Sequence, residues 1–416
     1  MINVNIESPL YPKPAIPIAP VPSCKSFGFE KPNVPAITDL KNILYLNSGR
    51  SAIGHAMQAI KIKPGDEVLI PALHCISMIE PIIWLGGTPV FYPIEKDLSI
   101  TCDNVIPKLS NKTRAIIIVH FFGFMQNTPP IRELCDRNNL YLIEDCAHSF
   151  FGGTKEYPIG QLADYVIGSA LKFFPIYDGG CLCSNHHSLP SDTIRNESLS
   201  FELKSLFNII ERSISYGRLR LLTPLISTFS LVRKVLKRIR NSPTSENNNE
   251  NSEKATKTNR TDTANAISSA ADGGFHFDPL WVNVKMSIVS RSIMHLTNIK
   301  RLQEKRRENY IEWQNSILGI PGIRPLHKNL PEHCIPYVFP AIVDNPQTLF
   351  PILKNIGLPV IRFGEFLLEG VDESVCSVSS EYSSVLFQFP CHQELTNSEI
   401  RWAISELIKA LIDKNQ

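Results

Sequence analysis

Apolar residues in this chain fall into short runs broken by small and polar residues, and the runs alternate between two periods. Leu44-Tyr45-Leu46 stops at Asn47-Ser48-Gly49-Arg50-Ser51, and beyond it Ala52, Ile53, Ala56, Met57 and Ile60 recur at helical spacing. This predicts a strand, a small-residue turn and a helix start. Pro64-Gly65-Asp66 predicts a turn before a strand at Glu67–Pro71. A helix over Ser77–Leu85 then ends at Gly86-Gly87 before a strand at Thr88–Tyr92. The alternation continues with a strand at Ala115–Val119 followed by His120, a helix at Ile131–Asn138, and a strand at Leu140–Glu144 followed by Asp145. Strands alternating with helices predict an α/β fold whose mostly parallel sheet is covered on both faces.

Outside that region the pattern changes. Residues 1–41 are Pro-rich and aperiodic and predict an arm lying over a surface or a partner. Residues 193–240 read as helices, ending in LVRKVLKRIR, where Leu231, Val232, Val235, Leu236 and Ile239 oppose a basic face. Such a helix fits either a core-covering position or an anionic membrane surface, the first being the commoner outcome. Residues 241–274 carry one large aliphatic, Ile267, and no aromatic, so they predict a disordered linker. Order resumes at Phe275, with one long helix over Ile288–Trp313 bearing a charged patch from Lys300-Arg301 to Arg306-Arg307. Short strands (Tyr337–Val343, Leu358–Arg362) and helices (Gln347–Ile356, Asn397–Ile412) follow and predict a small α+β domain. The expected division is an arm over 1–41, a large domain over 42–240, the linker 241–274, a helix completing the large domain over 275–325, and a small domain over 326–416.

Composition narrows the function classes. The 416 residues are 43% hydrophobic and 20% charged with a net charge of +2, which provides no basic footprint for nucleic acid. No uninterrupted apolar run of spanning length occurs and no signal-peptide pattern opens the chain, so a cytoplasmic protein without a transmembrane segment is expected. The 10 cysteines are too sparse for a disulfide scaffold, and Cys146, Cys181 and Cys183 sit in apolar runs, as buried thiols do. The stretch Cys181–His187 offers both Cys and His, but with alternate cysteines expected on opposite strand faces no metal site is predicted.

Candidate chemistry concentrates between Ile143 and Cys183. Asp145 ends an apolar run, His148 lies three residues on, and Lys172 sits among Ala170, Leu171, Phe173 and Phe174 ahead of Gly179-Gly180. A covalent aldehyde-cofactor site requires such a pair: an amine to form a Schiff base and a carboxylate to keep a ring nitrogen protonated. Apolar neighbours would desolvate the amine and lower its pKa towards the reactive form. Ser48, His74, His120 and Asp145 each follow a predicted strand, the edge where open α/β sheets bind ligands.

Taken together, NSGRSAI (47–53), KPGDEVLIPALHC (63–75), GGTPVFY (86–92), VHFFGFMQ (119–126), IEDCAHSFFG (143–152) and IGQLADYVIGSALKFFPIYDGG (159–180) resemble the DegT/StrS-type aminotransferases of the aspartate-aminotransferase-like fold. NVKMS (283–287) and FPCHQELT (389–396) match more loosely. The resemblance implies a large domain with a mostly parallel seven-stranded sheet, a small C-terminal α+β domain, and pyridoxal 5'-phosphate as cofactor. It implies that Lys172 is the Schiff-base lysine, that Asp145 pairs with the pyridine nitrogen, and that His148 lies near the cofactor's phenolic oxygen. Ser169 and the amides of Gly49 and Arg50, at a helix N-terminus, are implied to hold the phosphate. Asn283 is implied to reach the phosphate across a homodimer interface, making the active sites shared.

Some positions depart from that pattern. Arg50 stands where many members have Thr. The register gives Cys75 where an aromatic usually stacks on the ring, so the adjacent His74 is expected to stack instead. The spacing from Lys172 to Asp178 is one residue shorter than in most members. The implied activity is transfer of an amino group from an amino acid, L-glutamate being expected, to a keto-sugar on a nucleotide, for polysaccharide or glycoconjugate synthesis. Amination of a cyclitol-like ketone and a non-catalytic binding role are the alternatives.

Overall fold

The computed structural model describes residues 11–189, 193–224 and 277–412. The predicted basic helix 231–240 and linker 241–274 lie outside those residues. Strand β1 (Asn42–Leu46) leads into helix α1 (Gly49–Ala59), whose N-cap Ser48 accepts the Ser51 amide. Then come β2 (Glu67–Pro71), α2 (Ile76–Trp84), β3 (Thr88–Tyr92), the single turn α3 (Cys102–Val105), β4 (Thr113–Val119), α4 (Thr128–Asn138), β5 (Tyr141–Asp145), β6 (Tyr165–Gly168) and β7 (Gly180–Ser184). The seven strands form one sheet in the order β1-β7-β6-β5-β4-β2-β3. From β3 to β6 every pairing is parallel, and β7 runs antiparallel to both β6 and β1.

Helices α5 (Leu199–Ser215), α6 (Ile288–Leu296) and α7 (Ile299–Ile317) follow. The second sheet, in the order β10-β11-β9-β8, uses β8 (Ile323–Pro325), β9 (Val338–Val343), β10 (Ile361–Arg362) and β11 (Leu386–Pro390). It is packed with α8 (Pro346–Ile356), α9 (Glu373–Val385) and α10 (Asn397–Ile412). Two cores are present, and the second sheet contributes to both, with Val338, Ile342 and Leu386 in the first and Phe339 and Phe387 in the second. The first centres on Val68, Ile116, Ile143 and Val166, the second on Trp313, Phe339, Phe387 and Leu407.

The single helix expected over 288–313 is two. Thr297 is extended (φ −68°, ψ 133°), and the Asn298 side chain caps α7 by accepting the Arg301 amide at 3.0 Å. The Asn298 amide in turn donates to Ser26 in the N-terminal arm at 2.8 Å. That arm spans the molecule. Ala15 bonds Gly357 beside the second sheet, while Ile37 and Gly152 exchange bonds with Phe150 and Pro35 at the first.

Candidate active site

A tight backbone approach lies where β1 turns into α1. A Cβ on Gly180 would fall 2.2 Å from the Ser48 carbonyl carbon and 2.4 Å from the Gly49 nitrogen, so only glycine lets β7 pass this turn. The neighbouring Gly179 amide, at φ +147°, donates to Asn47 at 2.7 Å. Opposite them, a Cβ on Gly49 would meet the Gly168 oxygen and Ser169 Cβ at 3.5 Å. The three elements therefore bring the first turn of an eleven-residue helix against Ser169, a cradle with the dipole and donors an anion requires.

From this cradle a cavity of about 310 Å³ extends along the carboxyl edge of the sheet. Gly49, Arg50, His74, Asp145, His148, Ser169 and Lys172, all singled out by sequence, line it together. Lys172 closes a 3-10 turn, Ala170–Lys172, its ammonium 5.4 Å from the Tyr337 ring centroid. Burial lowers its pKa, and the Arg50 charge lowers it further, against the opposing effects of Cys75 and Asp145. Asp145 is buried, which raises its pKa, while the Ala147 amide (2.8 Å from Oδ1), Lys172 and His120 oppose the shift. His148 is stacked between Phe122 (5.5 Å, 15°) and Tyr337 (4.8 Å, 21°). Its Nδ1 is buried with no partner among the described residues, and burial, then the Lys172 charge, hold its pKa well below the usual range.

Two expected placements differ. His120 is not in the cavity. Its Nδ1 accepts the Gln126 amide and its Nε2 donates to Glu144, both at 2.9 Å, because β4 and β5 bring the two side chains together below the site. With Cys146 they have the spacing of metal ligands, but the imidazole nitrogens are committed to these bonds. Cys181 and Cys183, expected on opposite faces of β7, share one because they are two residues apart, and their thiols hydrogen-bond. Asn283 lies outside the cavity lining. Its backbone oxygen accepts the Arg195 amide at 2.9 Å, and its Oδ1 is buried without a partner among the described residues.

His74 lines the cavity, and its ring stacks on Phe91 (4.8 Å, 30°). Nδ1 donates to Ala72 at 2.8 Å and Nε2 accepts the Leu368 amide at 3.0 Å. The ring is therefore a neutral latch between β2 and the loop after β10, with its pKa pushed down by burial to about 4. Asp178 is also structural: it accepts the Ser287 amide (2.7 Å) and the Ser287 and Ser290 hydroxyls (2.5 Å each), anchoring α6 to the glycine turn.

Several site residues carried no sequence expectation. Arg306, part of the predicted charged patch, is fully buried. Its guanidinium donates to Gln393 Oε1 (2.8 Å), the carbonyls of Pro336 (3.1 Å) and Tyr337 (3.0 Å), and those of Lys172 (2.9 Å) and Phe173 (3.4 Å). It fixes the lysine backbone to the chain entering β9. The signal was present, since Leu302, Arg306, Tyr310, Trp313 and Ile317 share one helical face. Ile18, Ala19 and Pro20 of the arm form another wall, with Ile16, Pro17, Val21 and Pro22 buried beside them. Arg362 and Glu365, an ion pair at the end of β10, complete the outer part.

Residues 29–202 match the sequence profile of the DegT/DnrJ/EryC1/StrS aminotransferase family. Among curated proteins, the GDP-perosamine synthase of Vibrio cholerae is 32% identical over 152 residues, 35% of this chain and 41% of that protein. The UDP-N-acetyl-3-dehydro-alpha-D-glucosamine 3-aminotransferase of Acidithiobacillus ferrooxidans is 33% identical over 129 residues, 31% and 34% of the two chains. The matched stretch thus spans about two fifths of the first of these relatives and a third of the second. The fold extends further. The aminotransferase TlmJ from Streptoalloteichus hindustanus superposes with a TM-score of 0.60 at 18% identity, over 90% of this chain and 87% of that one. PseC from Helicobacter pylori, an aminotransferase involved in the biosynthesis of pseudoaminic acid, gives 0.59 at 15% identity, over 90% and 88%.

Proposed function

We propose, from the membership of residues 29–202 in the DegT/DnrJ/EryC1/StrS aminotransferase family, that this chain is a pyridoxal 5'-phosphate-dependent aminotransferase. It would carry the amino group of an amino acid, L-glutamate as donor, to a keto-sugar on a nucleotide. The observation that carries the reading is that Lys172 and Asp145 line one cavity beside a glycine-shaped helix N-terminus.

The residues fit the cofactor. Gly49, Arg50 and Ser169 would hold its phosphate, and Asp145 its ring nitrogen. The unpartnered Nδ1 of His148 supplies a polar atom for the ring's edge. When bound, pyridoxal phosphate supplies an electron sink for the carbon that exchanges nitrogen. Burial disfavours charge at Lys172 Nζ, which favours the neutral amine that attacks an aldehyde and later moves a proton on and off the substrate carbon. Arg306, by gripping the Lys172 carbonyl, limits the arc through which Nζ swings. Burial raises the pKa of Asp145, and the Ala147 amide and the Lys172 charge work against that shift, towards the anion a ring N–H requires. For the ring's other face, His74 remains the stacking residue we propose. Its bonds to Ala72 and Leu368 fix the plane it presents.

The same reading makes the enzyme a homodimer, with Asn283 reaching the partner's phosphate site, and places it in the cytoplasm. Among the described residues no helix is long and apolar enough to cross a membrane. The test is the absorbance spectrum of the purified protein with pyridoxal phosphate, before and after L-glutamate, beside Lys172→Ala. A yellow band that bleaches with glutamate, and never forms on the variant, is expected. A band of equal strength on Lys172→Ala would overturn the assignment.

A further inference from the structure

Phe122, two residues beyond His120, adopts a left-handed backbone (φ 59°, ψ 12°) that bulky side chains rarely take. Such a conformation persists only where its surroundings over-determine it. Here they form a clamp on the segment His120–Gln126. At its first residue the His120 amide donates to the Asp145 carbonyl at 3.1 Å. At its last, the Gln126 amide donates to His120 Nδ1 at 2.9 Å, closing the loop on the residue where it began. The Gln126 side chain adds bonds to the carbonyls of Val119 (3.0 Å) and Leu98 (2.9 Å) and accepts the Ile100 amide (2.9 Å). An amide nitrogen only donates, so His120 Nδ1 bears no proton, and the Nε2 proton goes to Glu144. Glu144 also accepts the Gly160 amide at 2.9 Å, so the imidazole is gripped from both ends. What the strained residue secures is the stack around His148. The Phe122 ring lies 5.5 Å from that of His148 at an interplanar angle of 15°. The Phe122 carbonyl accepts the amide of Tyr337 at 2.9 Å, and the Tyr337 ring stacks on His148 at 4.8 Å.

We propose that His120 is a positioning residue for the reaction: by clamping the loop in which Phe122 is strained, it fixes the plane of the His148 ring and the direction of its unpartnered Nδ1. The inference rests on the reading above that sets His148 at the cofactor's edge. A ring stacked between two others tilts only when they do, and one loop places both of its neighbours. Without an acceptor at His120 Nδ1 the Gln126 amide loses its bond, and Phe122 can relax to the right-handed conformation. That relaxation releases the strain and withdraws its ring from His148. A buried His–Glu pair serving stability alone would require no strained residue within the segment it closes, and none against a cavity side chain.

The experiment compares His120→Asn with His120→Gln in the full chain. The shorter Asn places an oxygen near the position of Nδ1 and keeps an acceptor for the Gln126 amide. The longer Gln reaches Glu144 and gives that acceptor up. Each variant leaves one buried partner unmet, so both lose stability in urea. In the protein without cofactor, the NMR signals of the His148 ring protons, moved upfield by the two flanking rings, are identified by their loss in His148→Gln. They are expected to hold their wild-type position in His120→Asn and to move downfield in His120→Gln. With pyridoxal phosphate and saturating L-glutamate, bleaching of the yellow band should slow about tenfold or more in His120→Gln at an unchanged half-saturating concentration, and less than about twofold in His120→Asn. Unmoved His148 signals in His120→Gln would overturn the proposal. So would displaced signals with normal bleaching, or defects that follow the loss of stability equally in both variants, since each assigns His120 to structure alone. Absence of the yellow band in the wild type is a different failure, that of the aminotransferase reading, and the His148 signals then still decide whether the clamp sets that ring.

Discussion

Replacing Arg306 by methionine removes every bond that ties the Lys172 turn to the chain entering β9. Of its acceptors, Phe173 keeps a second donor, Gln393 Nε2 at 2.8 Å, and Pro336 keeps the weaker Cys391 thiol at 3.9 Å. The Lys172 and Tyr337 carbonyls and Gln393 Oε1 lose the donor that Arg306 supplied. Each buried acceptor left unpaired costs about 1–3 kcal/mol, so the three together sum to about 3–9 kcal/mol. Against this, the variant no longer desolvates a cation, a cost visible in the lowering of the Arg306 pKa to about 10. A net loss of about 4 kcal/mol is expected, read as a shift of the urea denaturation midpoint. Arg306→Lys, which keeps the charge and part of the bonding, should lose about half as much. A positioning role beyond stability predicts that the pH midpoint of the yellow band moves in Arg306→Lys, since the Lys172 carbonyl is then held less firmly and Nζ is free over a wider arc. A methionine variant within about 1 kcal/mol of the wild type would refute the reasoning, because it would mean that the carbonyls find other partners without cost.

Two further outcomes follow from other contacts. Gly180→Ala should weaken pyridoxal phosphate binding at least tenfold in a fluorescence titration, because its Cβ would force the Ser48–Gly49 peptide out of the cradle; unchanged affinity would show that the cradle is not the phosphate site. His392 is buried neutral, its Nε2 donating to Pro17 at 2.9 Å and Nδ1 accepting the Glu394 amide, with burial pushing its pKa from 6.5 to about 3. A depressed imidazole pKa stabilises the fold above its unfolded value and is lost as pH falls towards the folded one. Between pH 7 and pH 5 the protein should lose about 2 kcal/mol at this residue, and His392→Gln should flatten that part of the pH–stability profile; an equal slope in the variant would sink the assignment.

The regular part of the fold was legible in the sequence because its signals are local. Turn residues bracket β2 and β3, and both strands match their expected limits. Lys172, Asp145, His148, Ser169, Gly49 and Arg50 stood out because small and aromatic neighbours surround them, and they line one cavity. What was missed depends on partners distant in sequence. Arg306 looked like one of several surface charges because its acceptors lie 30 to 134 residues away. His120 looked like its strand-end neighbours until β4 and β5 paired it with Glu144. The break at Thr297-Asn298 rests on a bond to Ser26, which no helical periodicity reveals. Alternation on β7 was misread by one residue, enough to separate two thiols that touch.

The arm over the cavity also fixes when the site can first exist during synthesis. Pro17, beside the wall formed by Ile18–Pro20, is fastened by His392, 375 residues later. At the usual ribosomal pace of about 5–20 residues per second, the arm waits roughly 20–75 s for that partner. During this interval Ile16 lacks the core it enters, which is built from residues 310–411, while the sheet that carries Lys172 and Asp145 has already emerged. A nascent chain would therefore hold the reactive residues well before it holds the wall that encloses them. Its prolines, which cannot donate to a strand edge, protect the waiting segment from pairing with a neighbouring chain.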